Sequence, residues 1–289
     1  QQIVAGVTYY REGYSENVLT FSNFEVVASD NANKPISGEF KLTDSSIRFN
    51  SIGEKSILVD FIPKGDTAYA IKTVSIQVIV MAGNVYYNDD STGSGDKKGF
   101  YLDATLKDVA FVKTENSSTV IDTSATMVDA FNALIDNGTI YIIGSYSLQQ
   151  EEKWEISKKV SIRRYKDGSG DLIIANNMLT IETIGFGELT LSGGAKWQFR
   201  QGASYVTSNP TEVNLDDSNY QAGLYAIGSL IRAYNGLIIS GKVSLQDNEN
   251  RVGSGGAIYA KSGEVRLENG VKVYQNLARN GGALYVETG

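Results

Sequence analysis

The chain contains no cysteine and no histidine. The first absence removes disulfides, thiolate nucleophiles and thiolate metal sites; the second removes the commonest general base and the commonest zinc ligand. Any catalysis would fall to carboxylate, Lys, Arg, Tyr or Ser side chains. Proline is scarce, with 3 residues in 289. Apolar runs are short, such as Ile57 to Val59 and Ile140 to Ile143, far below the roughly 18–20 residues that cross a bilayer as a helix. No membrane insertion is expected. Positive charge is also in deficit: 26 Lys and Arg face 33 Asp and Glu, a formal net charge of −7. That balance repels a phosphate backbone and speaks against nucleic acid as a partner.

What is abundant is glycine, 30 residues, and tyrosine, 17 residues, a composition that points to a turn-rich, all-β protein. At about 150 residues per domain the length suits two domains or one elongated one. The chain opens at Gln1 on a strand-like pattern and stops at Gly289 inside a recurring one, so the reading is of a piece cut from a longer protein. Residues 1–82 read as short alternating strands broken by polar clusters, with candidates at Asn17 to Phe21, Gly38 to Leu42 and Ser56 to Phe61. The clearest is Val74, Ile76, Val78 and Val80 with one buried face. Strands at this spacing imply a small sandwich. Alternation ends at Val80 and Gly83 opens a new pattern, which places the boundary between domains 1–82 and 83–289.

In the second domain Met127, Ala130, Phe131, Leu134 and Ile135 form an apolar stripe at helical spacing. Thr126 and Asp129 are set for a capping box and Asn137-Gly138 for a stop, so a helix is expected over about 123–137. Short strands follow: Thr139 to Ile143, Lys159 to Ile162, Leu172 to Ile174, Leu179 to Ile181, Glu188 to Leu191 and Ala195 to Phe199. Near the end they repeat. Ile239, Val243, Leu245 and Asn248 recur 28 positions later as Leu267, Val271, Val273 and Asn276. Gly255-Gly256-Ala257-Ile258-Tyr259 recurs as Gly281-Gly282-Ala283-Leu284-Tyr285. A more degenerate copy matches Leu189, Leu191, Gly194, Ala195 and Trp197 with Val265, Leu267, Gly270, Val271 and Val273. A strand repeat with a period in the twenties and no helix indicates a β solenoid, in which each coil buries its apolar face on the next. The helix would cover the edge of the first coil.

Two sets of residues carry resemblances. Phe61-Ile-Pro63-Lys-Gly-Asp66-Thr-Ala-Tyr69 with the strand to Val80 resembles the closing signature of bacterial immunoglobulin-like repeats, which implies a surface-protein spacer. Leu245-x-x-Asn248 with Gly255-Gly256-Ala257-Ile258, and its second copy at Val273 to Leu284, resembles polymorphic outer membrane protein repeats. The order of sandwich, helix and coils is similar to adhesin-like surface proteins of gut bacteria and methanogenic archaea. Together these imply an immunoglobulin-like β-sandwich followed by a right-handed parallel β-helix of pectate-lyase type. They also imply an extracellular location and a non-catalytic role in binding glycan or protein on another cell, as a monomeric fragment.

Several groups compete for chemistry. Outward aromatics on stacked coils, Tyr259, Tyr274 and Tyr285, would make a platform for sugar rings, or simply pack. Asp89, Asp90 and Asp96 on a Gly-rich loop supply oxygen ligands of the kind Ca²⁺ takes, or only solvate the loop. Asp216 and Asp217, with Glu212, would be carboxylates for a glycosidase, though neighbours in sequence usually diverge rather than oppose; Arg163, Arg164 and Lys166 would be cations for a polysaccharide lyase, but no aligned carboxylates on adjoining coils accompany them. The paired glycines fit tight corners rather than a phosphate loop, because a strand and not a helix follows them. Asn248 and Asn276 fit a ladder that satisfies turn backbone groups. An enzyme acting on polysaccharide and a purely structural stalk are the alternatives to an adhesin.

Overall fold

The computed structural model describes residues 7–11, 28–29, 35–43, 52–64, 71–90, 97–148, 150–165, 170–193, 197–199, 205–209, 211–214 and 228–288. Among them the chain is almost entirely β, with a single short helix. It divides into two compact units, Gln1–Gly83 and Asn84–Gly289.

Unit 1 contains β1 (Val7–Arg11), β2 (Ala28–Ser29), β3 (Pro35–Ile36), β4 (Gly38–Leu42), β5 (Gly53–Pro63) and the first part of β6 (Lys72–Asn88). β4, β5 and β6 form an antiparallel meander, and β1 lies parallel to β6 through Val7↔Val78. Period-two alternation separates the faces of β5: Ile57, Val59 and Phe61 are buried while Leu58 is exposed. Phe61 meets Phe40 at a ring separation of 5.0 Å. On the opposite face, cross-strand polar pairs link Ser56 to Ser75 and Thr73 to Asp60, each at 2.6 Å. The expected strand at Asn17 to Phe21 lies outside the described residues.

Unit 2 continues β6 into β7 (Gly99–Tyr101), then a hairpin of β8 (Val112–Glu115) and β9 (Ser118–Ile121), then α1 (Met127–Ala133). The loop after β7 winds around Asp103. Its carboxylate accepts from the Thr105 amide and hydroxyl and from the amides of Lys107 and Asp108. Burial alone pushes the Asp103 carboxyl up, but these hydrogen bonds outweigh it and the net shift is downward. The unfolded chain therefore binds the proton more readily, and stability falls as pH drops from about 5 through the folded-state value. In acid unfolding, Asp103→Asn should be less stable than the parent at neutral pH yet show a shallower loss below about pH 4. Parallel acid limbs would show that the loop does not contribute.

α1 begins as the sequence indicates: the Thr126 hydroxyl accepts from the Asp129 amide, and the Asp129 carboxylate accepts from the Thr126 amide at 2.7 Å. It ends earlier than expected. Leu134 and Ile135 belong to β10 (Leu134–Ile143), and Asn137 is a left-handed residue within that strand rather than a helix stop. The cause is Lys158, whose ammonium donates to the carbonyls of Phe131, Asn132 and Leu134 and satisfies the last helical turn. Burial pushes this ammonium's pKa down, partly offset by Asp136.

From β10 onward the chain passes through three parallel sheets in rotation. The remaining strands are β11 (Tyr146–Leu148), β12 (Glu152–Ile156), β13 (Lys159–Arg164), β14 (Ile173–Ala175), β15 (Leu179–Thr183), β16 (Glu188–Ser192), β17 (Trp197–Phe199), β18 (Tyr205–Asn209), β19 (Thr211–Asn214), β20 (Ile231–Ala233), β21 (Leu237–Ser240), β22 (Val243–Ser254), β23 (Ile258–Ala260), β24 (Val265–Glu268), β25 (Lys272–Asn280) and β26 (Leu284–Val286). One sheet runs β10-β13-β16-β22-β25, the second β11-β14-β20-β23-β26 and the third β12-β15-β21-β24. Every neighbouring pair is parallel, for example Ile181↔Ile239 and Leu237↔Val265, and the register holds except for one shift between Asn250 and Ser254 in the β22–β25 pair.

That register is the repeat read from the sequence. Leu245↔Val273 and Asn248↔Asn276 pair at the 28-residue step, and Ile258↔Leu284 at the 26-residue one. The third copy is corrected. Leu189 and Leu191 pair with Val243 and Leu245, so they belong to the first sheet, whereas Val265 and Leu267 belong to the third. Trp197 lies in β17, part of the antiparallel set β17-β18-β19 that interrupts the rotation between β16 and β20. This excursion hides the period. Inward positions such as Leu237, Ile239 and Ile258 are fully buried; their partners Val265, Leu267 and Leu284 are not, because no described strand lies beyond the last circuit.

Candidate functional site: the outer column of the second sheet

Register places one outward residue from each strand of the second sheet in a column: Ser147, Ile174, Arg232, Tyr259 and Tyr285. The last three interact directly. The Arg232 guanidinium carbon sits 4.1 Å from the Tyr259 ring centre. On the other side the Tyr259 and Tyr285 rings stack at 5.6 Å and 21°. Strand order puts Tyr259 between the other two, so both its faces are occupied.

Two carboxylates hold this column, one at Arg232 and one at Tyr259. Asp171 accepts from Arg232 Nε at 2.5 Å. Burial alone would push the Arg232 guanidinium's pKa down, and the Asp171 contact outweighs it to give a net rise. The Tyr259 hydroxyl donates to Glu287, which raises its pKa. Lys261 lies 5.5 Å from the Tyr234 ring two positions along. The two cations and two carboxylates of this patch cancel.

The three tyrosines singled out from the sequence do not share a surface. Tyr274 is an outward residue of the first sheet, paired with Gln246 and donating its hydroxyl to that side chain. The platform reduces to Tyr259 and Tyr285, and only Tyr285 has a face that no described ring covers.

Within the acidic loop Asp89 is tied to a turn of the chain. Asp89 accepts from the Ser145 amide at 2.8 Å, and a side chain at Gly144 would overlap its carboxylate. The same corner recurs two circuits on, where Asp171 accepts from the Ser229 amide at 2.8 Å and Gly228 makes room for it. Asp90 is exposed with a left-handed backbone, and Asp96 lies outside the described residues. Among the described residues no three metal-ligating side chains converge.

Of the enzyme candidates, Asp216, Asp217 and Lys166 lie outside the described residues, and Glu212 is described only through the pairing of its strand with Ser208. Arg163 points outward between Tyr141 and Ser192. Arg164 points inward and is buried. No protein-family model, curated protein or solved structure matches the chain.

The corner residues behave as their chemistry indicates. Asn248 Nδ2 donates to the carbonyls of Gly228 at 2.9 Å and Gly256 at 2.5 Å, and its amide donates to Asn276 Oδ1 at 3.2 Å. Gly255 and Gly281 both take left-handed backbone, and a side chain at Gly256 would overlap the Gly282 carbonyl of the next circuit. The sequence did not reveal Asp171, Arg232, Glu287 or Lys158. Asp171 and Arg232 are 61 positions apart, a separation lengthened by the excursion.

Proposed function

We propose that the chain is a non-catalytic, adhesin-like recognition module of a cell surface that binds neutral glycan through the Arg232–Tyr259–Tyr285 face. In this reading residues 84–289 are a right-handed parallel β-helix and the first unit an immunoglobulin-like spacer. Extracellular placement follows from the resemblances. The rotation through three parallel sheets supports the β-helix, since each circuit returns to its own sheet in register.

The carrying observation is the ladder itself. Arg232 is paired with Asp171 and Glu287 accepts from the Tyr259 hydroxyl, so the patch is neutral in sum and presents an aromatic surface with hydrogen-bonding edges. The free face of Tyr285 suits the C–H face of a sugar ring, and Glu287 and the Tyr259 hydroxyl suit its hydroxyls. The same geometry argues against an enzyme. Asp171 precedes β14 and Glu287 follows β26, three strand steps apart, or about 14 Å. Paired glycosidase carboxylates stand about 5–9.5 Å apart.

Affinity electrophoresis of the full chain through gels containing neutral polysaccharides tests the reading, with product analysis of the same mixtures with and without Ca²⁺. Retardation without new reducing ends or unsaturated uronides is the expected result. Turnover would replace this reading with a lyase or hydrolase, and free migration in every gel would remove the glycan.

A further inference from the structure

The rings of the second sheet's outer column stack along the direction in which the strands stack. Tyr259 is filled on both sides, by the Arg232 guanidinium at 4.1 Å and by the Tyr285 ring at 5.6 Å. It offers no platform of its own. Beyond Arg232 the column continues as Ile174 and Ser147, neither of which carries a ring. Tyr234, just past β20, has the Lys261 ammonium 5.5 Å from its ring centre, and Tyr274 belongs to the first sheet. Among the described residues the column therefore presents one open aromatic surface, the side of Tyr285 turned away from Tyr259.

Polar groups rim that surface. β26 is the last strand of its sheet. The Glu287 amide donates to the Ala260 carbonyl, and the Ala283 carbonyl accepts from the Ile258 amide. In a parallel ladder alternate residues turn to the same neighbour, so Leu284 and Val286 turn their N–H and C=O groups to the opposite edge, the side on which the Tyr285 ring is open. The Glu287 carboxylate, which accepts from the Tyr259 hydroxyl, stands beside them. A platform one ring wide with a hydrogen-bonding rim matches one sugar, its C–H face on the tyrosine and its hydroxyls on the rim. A second sugar would find no ring to stack on. Toward the interior it would meet the exposed apolar side chains of Leu284 and Val286.

We propose that the Tyr285 face takes one pyranose unit at a time and gains nothing from a longer chain. Its ligand class is the single exposed sugar of a branched or short glycan rather than a run of linear polysaccharide. The inference rests on the glycan reading above and narrows it.

Calorimetric titration of the full chain with the methyl glycosides of glucose, galactose and mannose, and with linear oligosaccharides of each sugar from disaccharide to hexasaccharide, tests it. At least one methyl glycoside should bind, and the association constant per sugar residue should stay within about threefold across its series. Each additional stacked sugar would instead raise it by about tenfold. A rise of that size, or binding by oligosaccharides where no methyl glycoside binds, would overturn the single-unit proposal and leave the glycan reading standing. Failure of every saccharide to bind would remove both. Tyr285→Ala should weaken the methyl glycoside at least about tenfold; undiminished binding in this variant would overturn the assignment of the sugar to this ring.

Discussion

Replacing Trp154 with alanine should destabilise the second unit by about 3–5 kcal/mol, measured by urea or thermal unfolding. The indole is fully buried on β12. It meets Phe131 of α1 edge-on at 5.6 Å and Tyr146 at 6.3 Å. Its N–H donates to Glu152 at 2.8 Å, and the Tyr146 hydroxyl donates to the same carboxylate at 3.1 Å. That hydroxyl in turn accepts from the Met127 amide at the first turn of α1. Burial, and then Glu152, pushes the Tyr146 phenol pKa up, so it stays a neutral donor across the physiological range. Truncation would open a cavity under the helix and leave a Glu152 oxygen without its donor. A loss below about 1 kcal/mol would show that α1 does not rest on this ring.

Asn248→Ala should cost about 2–4 kcal/mol, because its amide serves the buried Gly256 carbonyl and the part-buried Gly228 carbonyl. Gly256 O keeps a second donor in the Leu230 amide at 3.4 Å, which limits the loss there. Asn276→Ala should cost less, since its partners, the carbonyls of Leu245 and Tyr274, lie nearer the surface. Equal losses at the two positions would contradict the interior role given to Asn248. Asn248→Asp should be at least as damaging as the alanine, because it sets a carboxylate against two carbonyl oxygens.

These residues differ in how far the sequence exposed them. Asn248 and Asn276 were legible because stacking in register demands that the same residue type recur at the repeat distance. The helix start was legible because a capping box is local. Its end was not: Ala130 and Leu134 continue a helical stripe, yet Leu134, Gly138, Ile140 and Ile142 are equally the buried positions of a strand, and only distant Lys158 decides between them. The β17–β19 excursion displaced the repeat by an unreadable length, so Leu189 and Leu191 were matched to the wrong sheet. Tyr274 was grouped with Tyr259 and Tyr285 because period two tells outward from inward but not which of three sheets a residue faces. The Asp89–Ser145 contact was hidden because composition cannot show that Ser145, 56 positions away, returns to that carboxylate.

The most direct test of the central claim is a glycan array probed with the full chain beside its Tyr285→Ala and Tyr274→Ala variants. Binding to neutral glycans is predicted for the parent, with about a tenfold loss for Tyr285→Ala and no change for Tyr274→Ala. Binding that survives Tyr285→Ala, or that depends on Tyr274 instead, would contradict the assignment of the second sheet's outer column as the recognition face.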